Sequence, residues 1–218
     1  SPSRGLGDVY KRQGQSLLEL KQYHEALPYL EKAVIEDPQF SQAQYSLGLN
    51  LMKVGRNKEA IKLLQLSVAG DPNFANAFKY LGEAYQTLKN YPEAIKAFEN
   101  AISIDPKFTS AHNNLGIIYT FQKKYFKAIN TFKETLRTNP KFENGFFNLG
   151  MVYEILGRYT EAIKTYKALL DMNPNHKEAM FSLGWVLMDE KRYLEAAPIL
   201  KQAVRLNPKN ADTHYSLG

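Results

Sequence analysis

The sequence predicts an all-α chain built as an array of antiparallel helix pairs, on three observations. Proline, glycine and alanine each return at a fixed step of 34 residues: Pro38, Pro72, Pro106, Pro140, Pro174 and Pro208; Gly14, Gly48, Gly82, Gly116, Gly150, Gly184 and Gly218; and Ala26, Ala60, Ala94, Ala128, Ala162 and Ala196. Within a step, apolar and small side chains fall at helical spacing in two series. The two series are joined by a link as short as "QKKY" at 122–125, which makes the two helices antiparallel neighbours.

Copy by copy, the units run 7–40, 41–74, 75–108, 109–142, 143–176 and 177–210, with 211–218 opening a seventh. The opening segment, 1–13, has Gln13 where the other copies have Leu47, Leu81, Leu115, Leu149, Leu183 and Leu217. It is set apart as atypical, either foreign to the array or poorly ordered, and carries no functional argument. In 7–40, Pro28 falls early in the second helix, as Pro198 does in 177–210, and each should remove about one backbone hydrogen bond. In 41–74, Asn57 stands where the other copies have tyrosine, such as Tyr91 and Tyr125, and looser packing is expected. In 75–108, Pro92 suits the first helical position, where a missing N–H is harmless.

The unit 109–142 shows the pattern most fully. Ala111, Leu115, Ile118, Tyr119 and Gln122 form one helical series, and Ala128, Ile129, Phe132, Thr135 and Leu136 the other. Thr109 or Ser110 is expected to cap the first helix, and Asn139-Pro140 to end the second, because proline drives the preceding residue out of the α region. A glycine inside a helix costs about 1 kcal/mol relative to alanine, so the recurring Gly48, Gly82, Gly116, Gly150 and Gly184 imply close helix approach. The alanine twelve residues on (Ala60, Ala94, Ala128, Ala162 and Ala196) is expected to face each of them. In 143–176, Gly145 replaces the alanine of Ala111 and Ala179, again predicting looser packing. In 211–218 the second helix of a pair is missing, so the chain reads as a fragment of a larger protein with an uncapped end face open to self-association.

The motifs "AHNNLGIIYTFQKKYFKAINTFKETLRTNP" and "AFKYLGEAYQTLKNYPEAIKAFENAISIDP" carry Leu-Gly, Tyr, Ala, Phe and Pro landmarks at fixed offsets and resemble the tetratricopeptide repeat. The resemblance implies a right-handed α-solenoid, a superhelix whose first helices line a concave groove that holds peptides or partner helices. A scaffold for protein–protein interaction is therefore expected.

Several chemistries find no support. No GxxxxGK[ST] loop occurs, and His24, His112, His176 and His214 have neither HExxH spacing nor cysteine partners, so no cofactor and no metal site is expected. No carboxylate pair stands out as acid and base, and the segment reads as non-catalytic. The complete lack of cysteine fits a reducing compartment such as the cytoplasm, while remaining compatible with the periplasm. No run of apolar residues is long enough to span a membrane. The net charge of +6 is uneven: residues 109–142 hold six Lys and Arg against one acidic residue. Lys123, Lys124, Lys127, Lys133 and Arg137 read as a solvated outer edge; no aromatics are interleaved with them, so nucleic acid is a poor fit.

Among functions of the resembled family, the clamp on a C-terminal carboxylate is disfavoured. Lys79 and Asn114 match it, but Glu83, Asn144 and Asn148 occupy places where it needs an amide or a cation. Asn114 and Asn148, each just before a Leu-Gly pair, resemble two rungs of the asparagine ladder in protein O-GlcNAc transferases. The rival expectation is accordingly the substrate-recruiting arm of such a glycosyltransferase. The candidate binding groove comes from a second stripe on the first helices: Phe181, Trp185 and Met188 after Glu178, and Phe147 and Met151 between Asn144 and Glu154, with Ile117, Phe121, Tyr45 and Leu49 upstream. Aromatic and methionine side chains there either anchor a partner or pack between neighbouring helices.

Overall fold

The structure is a computed structural model that describes residues 2–206. Among the described residues it contains twelve helices and no strand: α1 (Pro2–Glu19), α2 (Tyr23–Glu36), α3 (Ser41–Lys53), α4 (Asn57–Gly70), α5 (Ala75–Thr87), α6 (Tyr91–Ile104), α7 (Thr109–Phe121), α8 (Tyr125–Thr138), α9 (Glu143–Ile155), α10 (Tyr159–Met172), α11 (Lys177–Asp189) and α12 (Tyr193–Leu206). The fold is all-α, and consecutive helices pack as antiparallel pairs. The chain divides into two compact units, residues 1–115 and 116–218. The stub at 211–218 and its end face lie outside the described residues. The opening segment belongs to α1, where Gly7 is buried and would set a Cβ 3.4 Å from the Ala33 carbonyl.

Each helix pair is closed by a turn that uses a left-handed residue. Lys21, Gly55, Lys89, Lys123, Gly157 and Lys191 have φ between 57° and 83°, and the next N–H returns five residues, as from Lys124 to the Tyr119 carbonyl at 2.8 Å. This is a Schellman ending, filled by glycine in two copies and by lysine in four. The second helices end as expected before proline: Asn139 is extended at φ −137° and ψ 88°. Its side chain adds an Asx turn, accepting from the Lys141 N–H at 3.3 Å, and Asp37, Asp71, Asp105 and Asn173 do the same.

The first helices start differently from expectation. Thr109 lies inside α7, and its hydroxyl donates to the Lys107 carbonyl rather than capping. The Phe108 carbonyl instead receives the Ala111 and His112 N–H groups. Phenylalanine also stands before α3, α5 and α9, without a side-chain cap. In place of a cap worth about 1 kcal/mol, each of these rings is half-buried. Helices α2 and α12 continue through Pro28 and Pro198, and Pro92 sits in the first two positions of α6.

The glycine–alanine expectation is only part of the contact. Ala60, Ala94, Ala128, Ala162 and Ala196 are wholly buried, and the Ala60 carbonyl lies 3.4 Å from where a Cβ on Gly48 would be, but the nearest group to each glycine is a large side chain sixteen residues on. A Cβ on Gly48 would lie 2.9 Å from Leu64, on Gly82 2.7 Å from Phe98, on Gly116 2.6 Å from Phe132, on Gly150 2.5 Å from Tyr166, and within the side chain of Leu200 on Gly184. The glycine is the socket for that side chain, and the alanine lets the helices close around it. Packing at Gly145 is not loose either: Leu136 and Phe142 come within 2.9 and 3.1 Å of where its Cβ would be. A shallow hollow opens at Asn57, lined by Gly55, Arg56, Lys58, Glu59 and Leu88, but an equivalent one opens beside Tyr193, lined by Lys191, Arg192, Leu194 and Glu195, so it does not distinguish asparagine from tyrosine.

In residues 1–115 the core is carried by Ala26, Leu30, Leu47, Leu51 and Ala60, then by Leu64, Leu81, Ala84 and Ala97. In residues 116–218 it centres on Phe132, Leu149, Val152, Tyr166, Leu169, Leu183 and Leu187. Each fully buried side chain of this size contributes about 1.5–3 kcal/mol.

Candidate functional site

With one stripe of each first helix committed to these cores, the neighbouring stripe is left to line a face. Hydrogen bonds fix its register within residues 1–115. Gln15 donates to the Ser46 hydroxyl at 3.0 Å and Asn114 Nδ2 to Glu83 Oε1 at 3.1 Å, each bridging a step of 31 residues between neighbouring first helices. Glu83 also pairs with Lys79 at 3.2 Å, and the Lys79 ammonium lies 3.3 Å from the Tyr80 ring centroid. Tyr45 meets Phe74 and Tyr80 at 4.7 and 5.8 Å between ring centroids. Burial, then the charges of Tyr80 and Glu83, push its hydroxyl up to about 12. Leu49 is half-buried beside it. Around Gln15, Lys79, Glu83 and Asn114 this face is polar and bound to itself, with Tyr45 and Leu49 half-buried between them, and the Asn114 amide is already engaged by a side chain.

The face in residues 116–218 is built otherwise. Phe147 is half-buried, stacked on His176 at 5.5 Å and tilted against Tyr166 at 6.1 Å, and like Ile117 it packs on the core. Phe181 and Asn148 are half-buried. Met151, Trp185 and Met188 are different: they remain 37, 40 and 37% exposed. Phe121 is exposed as well. The stripe that the sequence treats as one set therefore splits, with Phe147 and Ile117 held inward and Met151, Trp185 and Met188 outward.

Two residues of this region, Tyr166 and Ile155, escaped the sequence reading, and so did the tie between Tyr166 and Glu154. Tyr166 is fully buried, and its hydroxyl donates to Glu154 Oε2 at 2.8 Å while accepting from Ser182. Burial, first, and then the Glu154 charge push this phenol far upward. Glu154 is itself half-buried, and burial, with a contribution from Asp189, raises its carboxyl above the ordinary range. The available signal was a tyrosine at a phase where Phe98 and Phe132 stand, because a buried tyrosine hydroxyl needs a partner. Ile155, exposed at the end of α9, sits one helical turn beyond Met151 and was also overlooked.

The basic excess of 109–142 has a local explanation. Arg56, Arg158 and Arg192 each precede a second helix and pair with Glu59, Glu161 and Glu195 three residues on. In the fourth copy that glutamate is Lys127, whose ammonium lies 5.7 Å from the Tyr119 ring centroid. Arg137 pairs with Glu134 at the surface. Among the described residues no group of His, Asp or Glu could hold a metal ion, and no helix is long and apolar enough to cross a membrane.

Models of the tetratricopeptide repeat match residues 17–84, 75–108, 97–130, 115–175 and 147–211. No curated protein matches the chain. Among solved structures, PilF of Pseudomonas aeruginosa is similar at 20% identity over 96% of this chain and 95% of its own, with a TM-score of 0.81. MamA of Desulfovibrio magneticus is similar at 19% identity over 78% and 97%, with a TM-score of 0.72. The TPR protein YrrB follows at 19% identity over 86% and 96%, with a TM-score of 0.69. At these identities the likeness is one of fold, and with the repeat models covering nearly the whole described length, the chain belongs to the tetratricopeptide repeat family.

Proposed function

We propose that the chain is a non-catalytic interaction scaffold and that the first-helix face of residues 116–218 binds a peptide or a partner helix. One observation carries this reading: Met151, Trp185 and Met188 are held outward by the same helices that bury Leu149, Val152, Leu183 and Val186. An aromatic and two methionines clustered on an open face are the usual anchors of a peptide site. YrrB is described as a TPR protein with an unusual peptide-binding site, which supports the same use of the fold here. The rival reading, the recruiting arm of a glycosyltransferase, leans on the asparagine ladder, and Asn114 is tied to Glu83.

Trp185 is the only tryptophan, so its emission reports on the face directly. A phage-displayed pool of random peptides panned on the protein should yield binders that shift this emission and shield it from acrylamide. Trp185→Ala should then weaken their binding by about 2 kcal/mol or more. Failure to select any binder that depends on Trp185 would overturn the assignment.

A further inference from the structure

If the first-helix face takes a partner as read above, its charges narrow what that partner is. Glu154 is half-buried on the stripe that carries Met151, and the 31-residue step that joins Glu83 to Asn114 and Gln15 to Ser46 leads from Glu154 to Trp185. Asp189 closes α11 one residue after Met188 and is close enough for its charge to act on Glu154. Two carboxylates thus border the exposed apolar cluster.

No cation among the described residues is paired with either of them. The arginines at the turns after α9 and α11, Arg158 and Arg192, are engaged with Glu161 and Glu195. Among the described residues no ion pair engages Glu154 or Asp189; the hydrogen bond that Glu154 accepts comes from the uncharged Tyr166 hydroxyl. Both carboxylates also sit in the last turn of their helices, where the backbone carbonyls add partial negative charge and favour a cation. In residues 1–115 the corresponding face supplies its own cation, Lys79, to Glu83.

We propose that the partner is a peptide or helix that presents a lysine or arginine beside a bulky apolar side chain, the cationic group lying against Glu154 and Asp189 and the apolar one covering Met151, Trp185 and Met188. The carboxylates then give direction as well as affinity, because a partner laid in the reverse sense would bring its cation to the wrong end of the cluster. The Tyr166 hydroxyl holds the Glu154 carboxylate, so less side-chain freedom is lost when the cation arrives.

The test uses the peptides selected through Trp185. Lysine or arginine should be enriched next to an aromatic, leucine or methionine in those sequences. For one such peptide, replacing its cation by glutamine should weaken binding about tenfold, as should Glu154→Gln with Asp189→Asn in the protein, and the two changes together should cost little more than either alone. Glu154→Gln keeps an acceptor for the Tyr166 hydroxyl, and circular dichroism checks that both variants stay folded. Converting the pair to Glu154→Lys with Asp189→Lys should turn selection toward acidic peptides. Trp185-dependent binders with no basic enrichment, or additive losses in the cycle, would overturn the cation site and leave the apolar face standing. A pool that yields no Trp185-dependent binder would remove both.

Discussion

Residues 1–115 and 116–218 use one scaffold and finish its first-helix face in opposite ways. In the first unit, Gln15 meets Ser46 and Lys79, Glu83 and Asn114 form a continuous polar chain. In the second, Met151 and Trp185 occupy the places of Gln15 and Glu83 and stay exposed. A position that the repeat leaves unconstrained can be spent on holding neighbouring helices together or on holding something else. In this chain the polar copies do the former, with side chains satisfied within the unit, whereas the apolar copies leave Met151, Trp185 and Met188 exposed.

The largest expected effect tests whether the scaffold is indeed common to both units. Gly82→Leu and Gly116→Leu should each drive a side chain into the ring of Phe98 or Phe132, already within 3 Å of a single added carbon, and each should cost about 3 kcal/mol or more. Thermal denaturation followed by circular dichroism reads both. An unchanged midpoint for either would mean that the socket is not shared and that the comparison between units has no common frame.

Next in size is a contrast inside the second unit. Phe147→Ala removes a ring packed on His176 and Tyr166 and should cost about 2 kcal/mol of stability. Trp185→Ala, though it deletes the larger side chain, should cost well under about 1 kcal/mol, since surface changes usually fall in that range. Urea titrations that gave the two variants equal losses would assign Trp185 to the core and remove the exposed cluster on which the binding face rests.

How much of this was legible in the sequence depends on what sets each feature. The helix pairs, their order and the core phases follow from a period that six copies repeat, so Ala111, Leu115, Ile118 and Phe132 were readable without a structure. The nearest neighbour of each glycine was not: Leu64, Phe98 and Tyr166 differ in chemistry while the alanine does not vary, so recurrence drew attention to the alanine and not to the side chain that fills the socket. Nor was the left-handed turn visible, because lysine fills it in four copies where glycine would have announced it. In the stripe, Phe147 and Trp185 belong to one helical face by spacing alone. Only the position of His176 and Tyr166 turns one inward, and a sequence carries no such depth.

A smaller effect probes the polar side of the comparison. Glu83→Ala and Asn114→Ala remove the two ends of one hydrogen bond, and a double-mutant cycle should give a coupling of about 0.5–1 kcal/mol, reduced by partial exposure. Zero coupling would mean that the first unit's face is not bound to itself, and the two units would then differ in composition but not in role.

The smallest effect concerns Glu154, and it has a sign that separates a free face from an occupied one. Burial and then the nearby Asp189 raise its carboxyl in the folded chain above the ordinary value of 4.5, against a lowering by the Tyr166 hydroxyl. The folded state therefore binds this proton more tightly than the unfolded state. The stability that Glu154 contributes is fully present below its unfolded value and is lost as pH rises through its folded one. As pH rises from the ordinary carboxylate value through the raised one, the wild type should thus lose stability relative to Glu154→Gln, by a small amount because the group is half exposed. Urea midpoints of the two proteins across that range would show it, and identical pH profiles would mean that the carboxylate is as well solvated folded as unfolded. A partner that brings a cation reverses the sign, since it favours the ionised form and should bind more tightly as pH rises through the same window. The half-buried acid that slightly weakens the free fold is then the group that its partner compensates, whereas Glu83, already paired with Lys79 and Asn114, asks nothing of a partner.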